Sequence, residues 1–291
     1  MSGTLFVVAT PIGNLEDITL RALRVLREVA LVAAEDTRRT GNLLRHYDIH
    51  TPILSVHEHN ERVRAPKLIS RLLAGDSIAL VTDAGTPGIS DPGAQLVAAV
   101  RTAGIRVEPI PGPSAVIAAM SAAGIESNGF AFMGFAPIKS KDRKQWFKSL
   151  VERSKDQAMV FFEAPHRLLK TLQELSLLVE RPILIARELT KLHEELVMGS
   201  PVELIKVFDQ PIGEFTLILP PGESVGLAEK DVSDQSIADC FGQITETGGA
   251  GTKRDSARLV AEQLHLSTKQ VYDALERVKL GELKKDQPSR G

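Results

Sequence analysis

Short apolar runs alternate along this chain with stretches in which apolar residues return every three or four positions. That alternation sets the expected fold. Residues 5–9 form a continuous apolar run, as expected of a central parallel strand. A turn at 10–14 follows. Leu15, Ile18, Ala22, Val25, Leu26 and Val29 then recur at helical spacing, with Asp17 the expected N-cap. Residues 31–34 and 52–56 give two more strands, 68–73 a helix, and 78–82 a fourth strand. Beyond the loop 83–93, Asp91 and Pro92 are the expected N-cap and first residue of a helix through 95–100, which Gly104 ends. Residues 105–110 make a fifth strand. Residues 115–123 are small and apolar on nearly every side, the pattern of a helix covered on more than one face by another domain or subunit. This succession predicts a parallel sheet clothed in helices over residues 1–125.

A different pattern starts at residue 126. Phe130, Phe132 and Phe135 alternate with small residues in a strand over 129–135. Further strands fall at 158–162, 182–186 and 214–219, with a strand end and a helix within 196–207. Residues 126–221 therefore read as a second α/β domain. Residues 222–235 are rich in Gly, Ser, Glu and Asp and read as a linker. A small helical module is expected over 236–281. Its amphipathic segments 254–264 and 267–278, the second capped by Ser267, fit a helix-turn-helix or a helical cap packed on its own chain or a partner. Residues 282–291 read as a tail.

Composition changes this picture in a few places. Aromatic residues are only 4% of 291, so the core must be built from Val, Leu, Ile and Ala. The formal charge of -2 gives no overall nucleic-acid footprint. A local one exists: Lys139, Lys141, Arg143, Lys144 and Lys148 are opposed only by Asp142 within 139–148. The lone cysteine, Cys240, excludes an internal disulfide and a Cys-based zinc site. No basic-flanked leader opens the chain, and no apolar run approaches the roughly 18 to 20 residues that span a bilayer. A cytoplasmic protein without membrane contact is expected. No dinucleotide fingerprint follows the first strand, and there is no P-loop and no nucleophile elbow.

Candidate chemistry collects after the strands. Glu35-Asp36-Thr37-Arg38-Arg39 follows the second, His57-Glu58-His59-Asn60-Glu61 the third, and charged groups recur at 163–167 and 187–191. The histidines at 57 and 59 lack zinc-protease spacing, so no metal is expected. The loop 83–93 holds three glycines and two prolines between a strand and a helix. Ligands of open α/β sheets bind beyond the carboxyl ends of the strands, which makes this loop the first place to seek a small molecule.

Seven ordered blocks carry a resemblance: residues 8–19, 34–38, 57–61, 83–93, 111–115, 163–167 and 187–191. Together they resemble the tetrapyrrole (corrin/porphyrin) methylase superfamily. Within it they are similar to the bacterial enzymes that methylate a cytidine 2′-hydroxyl of small-subunit (16S) ribosomal RNA near the decoding centre. The resemblance implies two α/β domains with S-adenosylmethionine in the cleft between them, and a homodimer. It places Pro11, Asp83, Thr86, Ile89, Ser114, Ala115, Phe162, Arg187 and Phe215 at the cofactor. Many members carry Gly-Asp-Pro where this chain has Gly85-Thr86-Pro87, so an acidic cofactor contact falls to Asp83 or is not made. For the acceptor hydroxyl the candidates are Glu35, Asp36, Glu58, His59, Glu188 and Lys191, with Asp36 or Lys191 expected nearest the reacting oxygen. Arg38, His59, Arg143, Lys144 and Arg167 are the expected RNA contacts. The rival readings are methylation of a tetrapyrrole-like small molecule and a non-enzymatic RNA-binding scaffold. The basic stretch and the added C-terminal helices favour the ribosomal RNA.

Overall fold

The computed structural model describes residues 2–222, 234–246, 252–263 and 268–285. Most of the expected linker, the turn at 264–267 with the Ser267 cap, and residues 286–291 of the expected tail lie outside the described residues. The chain divides into two compact units, Met1–Val225 and Gly226–Gly291.

In the first unit, five aliphatic runs become β1 (Thr4–Val8), β2 (Leu31–Ala34), β3 (Ile53–Ser55), β4 (Ile78–Val81) and β5 (Arg106–Ile110). They pair in parallel in the order β3-β2-β4-β1-β5. Alternate side chains feed two apolar layers, as the two-residue period of a strand requires. Val32 and Ala34 pack with Ala22, Val25 and Leu26, while Leu31 and Ala33 pack with Leu68, Leu72 and Leu96. The layers are completed by α1 (Leu20–Glu28), α2 (Thr37–His46), α3 (Glu61–Leu73) and α4 (Ala94–Thr102).

Helix starts are where the sequence reading needs correction. The α1 cap is Thr19, whose hydroxyl accepts the Ala22 N–H at 3.1 Å; Asp17 closes a separate turn of 3-10 helix capped by Asn14. Helix α2, unread in the sequence because its buried residues are only Thr40 and Leu44, is capped by Asp36. Helix α3 starts at Glu61, seven residues before the expected 68, and runs through Pro66. Helix α4 begins after Gly93, not at Pro92. Gly93 sits at φ +122°, and a Cβ there would lie 2.9 Å from Leu80 Cδ2, so only glycine lets the loop fold back onto β4. The acidic cap comes from elsewhere: buried Glu61 accepts the Leu96 N–H at 2.6 Å. Asp91 is thereby left without a capping role.

The second sheet, in the same unit, consists of β6 (Phe130–Phe135), β7 (Ala158–Glu163), β8 (Ile183–Arg187), β9 (Glu195–Gly199) and β10 (Phe215–Leu219). Its order is β6-β7-β10-β8-β9, parallel between β6 and β7 and antiparallel elsewhere. One face of this sheet is covered by α6 (Ser140–Arg153), α7 (Pro165–Ser176) and α8 (Pro201–Val207), through Phe147, Leu168, Leu172 and Leu204. The opposite face receives α5 (Ala115–Ala122), which leaves the end of β5. Val116, Ala119 and Ala123 pack on Ala158, Val160, Leu184, Ala186 and Ile218. The apolar helix expected to be covered on several faces is thus covered on one, by the second sheet. Ile117 on another face is 56% exposed.

The C-terminal unit contains α9 (Asp234–Glu246), α10 (Lys253–Gln263) and α11 (Thr268–Lys285), one helix more than the two segments expected. Ile237, Ala257, Val260, Val271 and Ala274 form its core, and Arg277 holds Asp234 at 2.8 Å.

Candidate active site

Three loops at the carboxyl ends of β1, β4 and β5 are tied into one surface. The Thr10 N–H donates to Gly85 O at 2.9 Å and the Gly85 N–H returns the bond to Thr10 O at 3.0 Å. The Thr86 hydroxyl donates to Pro113 O at 3.3 Å. Gly85 and Gly88 take φ +77° and +81°. Ser90, at φ +63°, takes a left-handed conformation that costs a non-glycine residue about 1–3 kcal/mol, the kind of strain that collects at functional sites.

Opposite this surface stands the second sheet, and between the two lies a cavity of about 360 Å³. Its near wall includes Ile12, Gly85, Thr86, Ile89, Asp91 and Ser114. Its far wall includes Phe135, Phe162, Glu163, Glu214 and Phe215. A register shift in β6 between Phe132 and Phe135, with Gly134 at φ +66°, turns Phe135 toward the cavity, where its ring lies 5.4 Å from that of Phe162. The volume falls within the range of small-molecule sites, and the apolar walls with a few polar groups match their usual chemistry.

Six of the nine expected cofactor residues line this cavity: Thr86, Ile89, Ser114, Ala115, Phe162 and Phe215. Pro11 and Asp83 instead line a neighbouring depression with Arg39 and Thr40. Arg187 is directed elsewhere, its Nε donating to Ile212 O at 2.8 Å and its Nη1 reaching Glu195 at 3.2 Å. Asp91, Phe135 and Glu214 were not anticipated. For Asp91 the signal was its place in a glycine- and proline-rich loop; the helix-cap reading concealed it.

The charged groups sort by what surrounds them. Burial raises the Glu35 carboxyl above its ordinary value, with Asp83 and Asp36 adding repulsion against an Asp83 N–H bond and Arg39 that lower it. Asp36 behaves oppositely. The Arg38 side chain at 3.1 Å and the N–H groups of Arg38 and Arg39 hold it below the usual carboxylate range, as befits a helix cap and a poor proton acceptor. Lys191 lies between Glu188 at 2.8 Å and Glu214 at 3.0 Å. Burial alone would lower its affinity for a proton, but the two carboxylates outweigh it and the ammonium is held above the ordinary lysine value. Since Glu214 is itself a cavity residue, Lys191 stands one side chain behind the wall. Glu188 and Thr190 are left-handed at φ +49° and +66°. Gly13 meets this turn so closely that a Cβ would lie 2.9 Å from Leu189 O.

Among the expected RNA contacts, Arg38 and His59 are exposed, beside Asp36 and Glu58 respectively. Lys144 is exposed on α6. Arg143 is a correction. It is buried, with Nε and Nη2 on the Glu174 carboxylate at 2.9 and 2.7 Å, because its helix position faces α7. Arg167 is likewise turned inward. It pairs with buried Glu163 at 3.1 Å and donates to the carbonyls of Ala136 and Pro137, tying the end of β6 to α7.

A fold of two α/β sheets enclosing a cofactor-sized cavity, with strand-end loops as its floor, defines a class, and comparison with known proteins agrees. The chain belongs to the Tetrapyrrole (Corrin/Porphyrin) Methylases, whose family model matches residues 4–204. Among its relatives is "Ribosomal RNA small subunit methyltransferase I" of Synechocystis sp., 43% identical over 277 residues, 93% of this chain and 96% of that protein. The protein of the same name from Thermotoga maritima is 47% identical over 220 residues, 75% of this chain and 98% of its own length. Two solved structures share the fold. Diphthine synthase has a TM-score of 0.59 at 16% identity, over 75% of this chain and 90% of its own. Uroporphyrin-III-C-methyltransferase from Thermus thermophilus has a TM-score of 0.53 at 20% identity, over 74% of this chain and 94% of its own.

Proposed function

We propose that this protein is an S-adenosylmethionine-dependent methyltransferase acting on the 2′-hydroxyl of a cytidine ribose in small-subunit ribosomal RNA. The observation that carries the reading is the cavity between the sheets, in a chain related over 93% of its length to a small-subunit ribosomal RNA methyltransferase. Methyltransferases of this family use S-adenosylmethionine, and the cavity suits it. The loop surface at Gly85, Thr86 and Ser114 offers backbone and a hydroxyl, and Phe135, Phe162 and Phe215 offer flat apolar surface for a purine. At Gly85 the φ of +77° is a conformation that side chains rarely adopt, which keeps backbone exposed on the floor.

When bound, the cofactor supplies an electrophilic methyl group on a sulfonium. The protein's share is alignment and proton removal. Holding two reactants in attack geometry can be worth roughly 7–11 kcal/mol, while a general base adds about 10²- to 10⁴-fold. Glu35 is the residue we assign to proton removal, since burial raises its proton affinity. Lys191, held as an ammonium, is assigned to the developing negative charge on the acceptor oxygen. Asp36 positions α2. Arg38, His59 and Lys144 are assigned to RNA phosphates. A homodimer is part of this proposal, supported by the uncovered Ile117 face of α5, as is a cytoplasmic location.

Labelled methyl transfer to small ribosomal subunits and to naked ribosomal RNA, with nuclease mapping of the product, tests the reading. Label in a cytidine ribose of either substrate is expected. Label in neither, or in a base, overturns it. Light scattering tests the dimer.

A further inference from the structure

We infer that Asp91 is the group by which the cavity distinguishes the charged methyl donor from its uncharged product. The inference rests on the cofactor reading above. Asp91 lines the cavity, yet among the described residues it has neither a hydrogen bond nor an ion pair. It was freed from helix capping because Glu61 supplies the acidic contact to α4. The left-handed Ser90 before it and the bond from Gly88 N–H to Pro92 O after it fix the turn that presents it.

Its surroundings are anionic. Glu35 at the end of β2 and Asp83 after β4 both raise its carboxyl, after burial, the largest cause, so that it titrates at about 6. The cations at the start of α2 are already paired, Arg39 with Asp83 at 3.4 Å and Arg38 with Asp36 at 3.1 Å. Across the cavity, Glu163 is paired with Arg167, and Glu214 shares the Lys191 ammonium with Glu188, so that unlike Asp91 both have a cationic partner. A half-buried, unpartnered carboxylate beside two others is unfavourable unless a cation arrives. A sulfonium is such a cation. In methyl transfer the S–CH3 bond breaks as the O–CH3 bond forms, the hydroxyl proton passes to the base assigned above, Glu35, and the S–C electron pair stays on sulfur, leaving a neutral thioether. Asp91 therefore favours the donor and releases the product. Asp83, the expected source of an acidic cofactor contact if one is made, lines the neighbouring depression and not this cavity.

The test is calorimetric binding of S-adenosylmethionine and S-adenosylhomocysteine to the full-length protein and to Asp91→Asn, above and below pH 6. Both ligands carry the same amino and carboxyl groups and differ in charge only at sulfur. Asp91→Asn is expected to weaken the donor about tenfold and the product less than about threefold, the scale of one direct charge–charge contact at a half-buried site. In the unmodified protein, donor affinity should fall as the pH drops through about 6 while product affinity stays flat. Melting of the ligand-free proteins gives an independent reading: Asp91→Asn should melt higher above pH 6, because a repelled carboxylate has gone. Equal weakening of both ligands, no weakening of either, or an unchanged melting temperature overturns the role of Asp91. Failure of the unmodified protein to bind either ligand overturns the cofactor reading itself, and this inference with it.

Discussion

Gly13 links the two sheets of the first unit at the turn that holds Lys191. A methyl group there would lie 2.5 Å from Lys191 Cγ, 2.7 Å from Thr190 Oγ1 and 2.9 Å from Leu189 O. The first two are side-chain atoms close to the backbone, and the third is backbone. Thr190 is already left-handed at φ +66°, which leaves it little freedom to yield. Gly13→Ala must therefore move one loop away from the other. Overpacking of this kind costs about 1–3 kcal/mol. Replacing glycine removes unfolded-chain entropy and returns about 0.4–1 kcal/mol. The net loss is about 1–2 kcal/mol, which in a unit of this size lowers the melting temperature by about 2–8 °C. Differential scanning calorimetry reads this directly. Gly129→Ala is the control, since nothing lies within 4 Å of a Cβ there. Methyl transfer by Gly13→Ala should fall further than its stability implies, because the displaced loop carries Lys191. A Gly13→Ala protein that melts with the unmodified one, or that melts lower with full turnover, refutes the coupling between this contact and the ammonium.

Arg143→Ala should destabilise by about 2–3 kcal/mol, because it empties a buried position on α6 and leaves the partly buried Glu174 carboxylate without its partner; Lys144→Ala should leave melting unchanged while flattening the salt dependence of RNA binding. Arg143 holds Glu174 below the usual carboxylate range, so this stabilisation is present above the unfolded value near 4.5 and is lost as the pH falls through the lower folded one; acid titration of melting temperature should show it vanish in Arg143→Ala. Asp91 has the opposite sign: its folded value near 6 exceeds the unfolded 3.8, so stability is complete below 3.8 and is lost as the pH rises through 6. After discounting for solvent, that cost is about 1 kcal/mol, and Asp91→Asn should abolish the step in a pH series of melting temperatures. Asp36→Ala should lower the urea midpoint, since it leaves the Arg38 and Arg39 N–H groups without their acceptor, and Asp36→Ser should hardly move it; if both lose turnover equally at full stability, Asp36 acts in the chemistry and not as a cap.

Much of this protein was legible along the chain. The runs at 31–34 and 78–82 fall on β2 and β4, buried at every strand position, because a strand covered on both faces must be apolar throughout. The loop 83–93 announced its site through glycines and prolines, since backbone angles are a local property. Caps were less legible, because several acceptors near a helix start compete, and Thr19 prevailed over Asp17. The Glu61 contact could not be read at all: Glu61 lies 35 positions before Leu96 and reaches the start of α4 only through the fold.

Charge could be counted in the sequence, but not its use. Lys139 to Lys148 read as one basic cluster, yet Arg143 faces α7 and is consumed by Glu174 while Lys144, one residue on, is exposed. A helix turns about 100° per residue, so neighbours in a cluster meet different surroundings. Arg167 was turned inward for the same reason.

By itself, then, the sequence determined the strands, the strained loop and the family, because hydrophobic period, glycine placement and ordered motifs are all local. Only the tertiary structure decided which strand-end groups meet. It brought Asp91 together with Glu35 and Asp83, set Lys191 between Glu188 and Glu214, and gave Arg143 to Glu174. Most of these meetings join residues remote in the chain, and the charge state of an ionisable group is set by its neighbours in space.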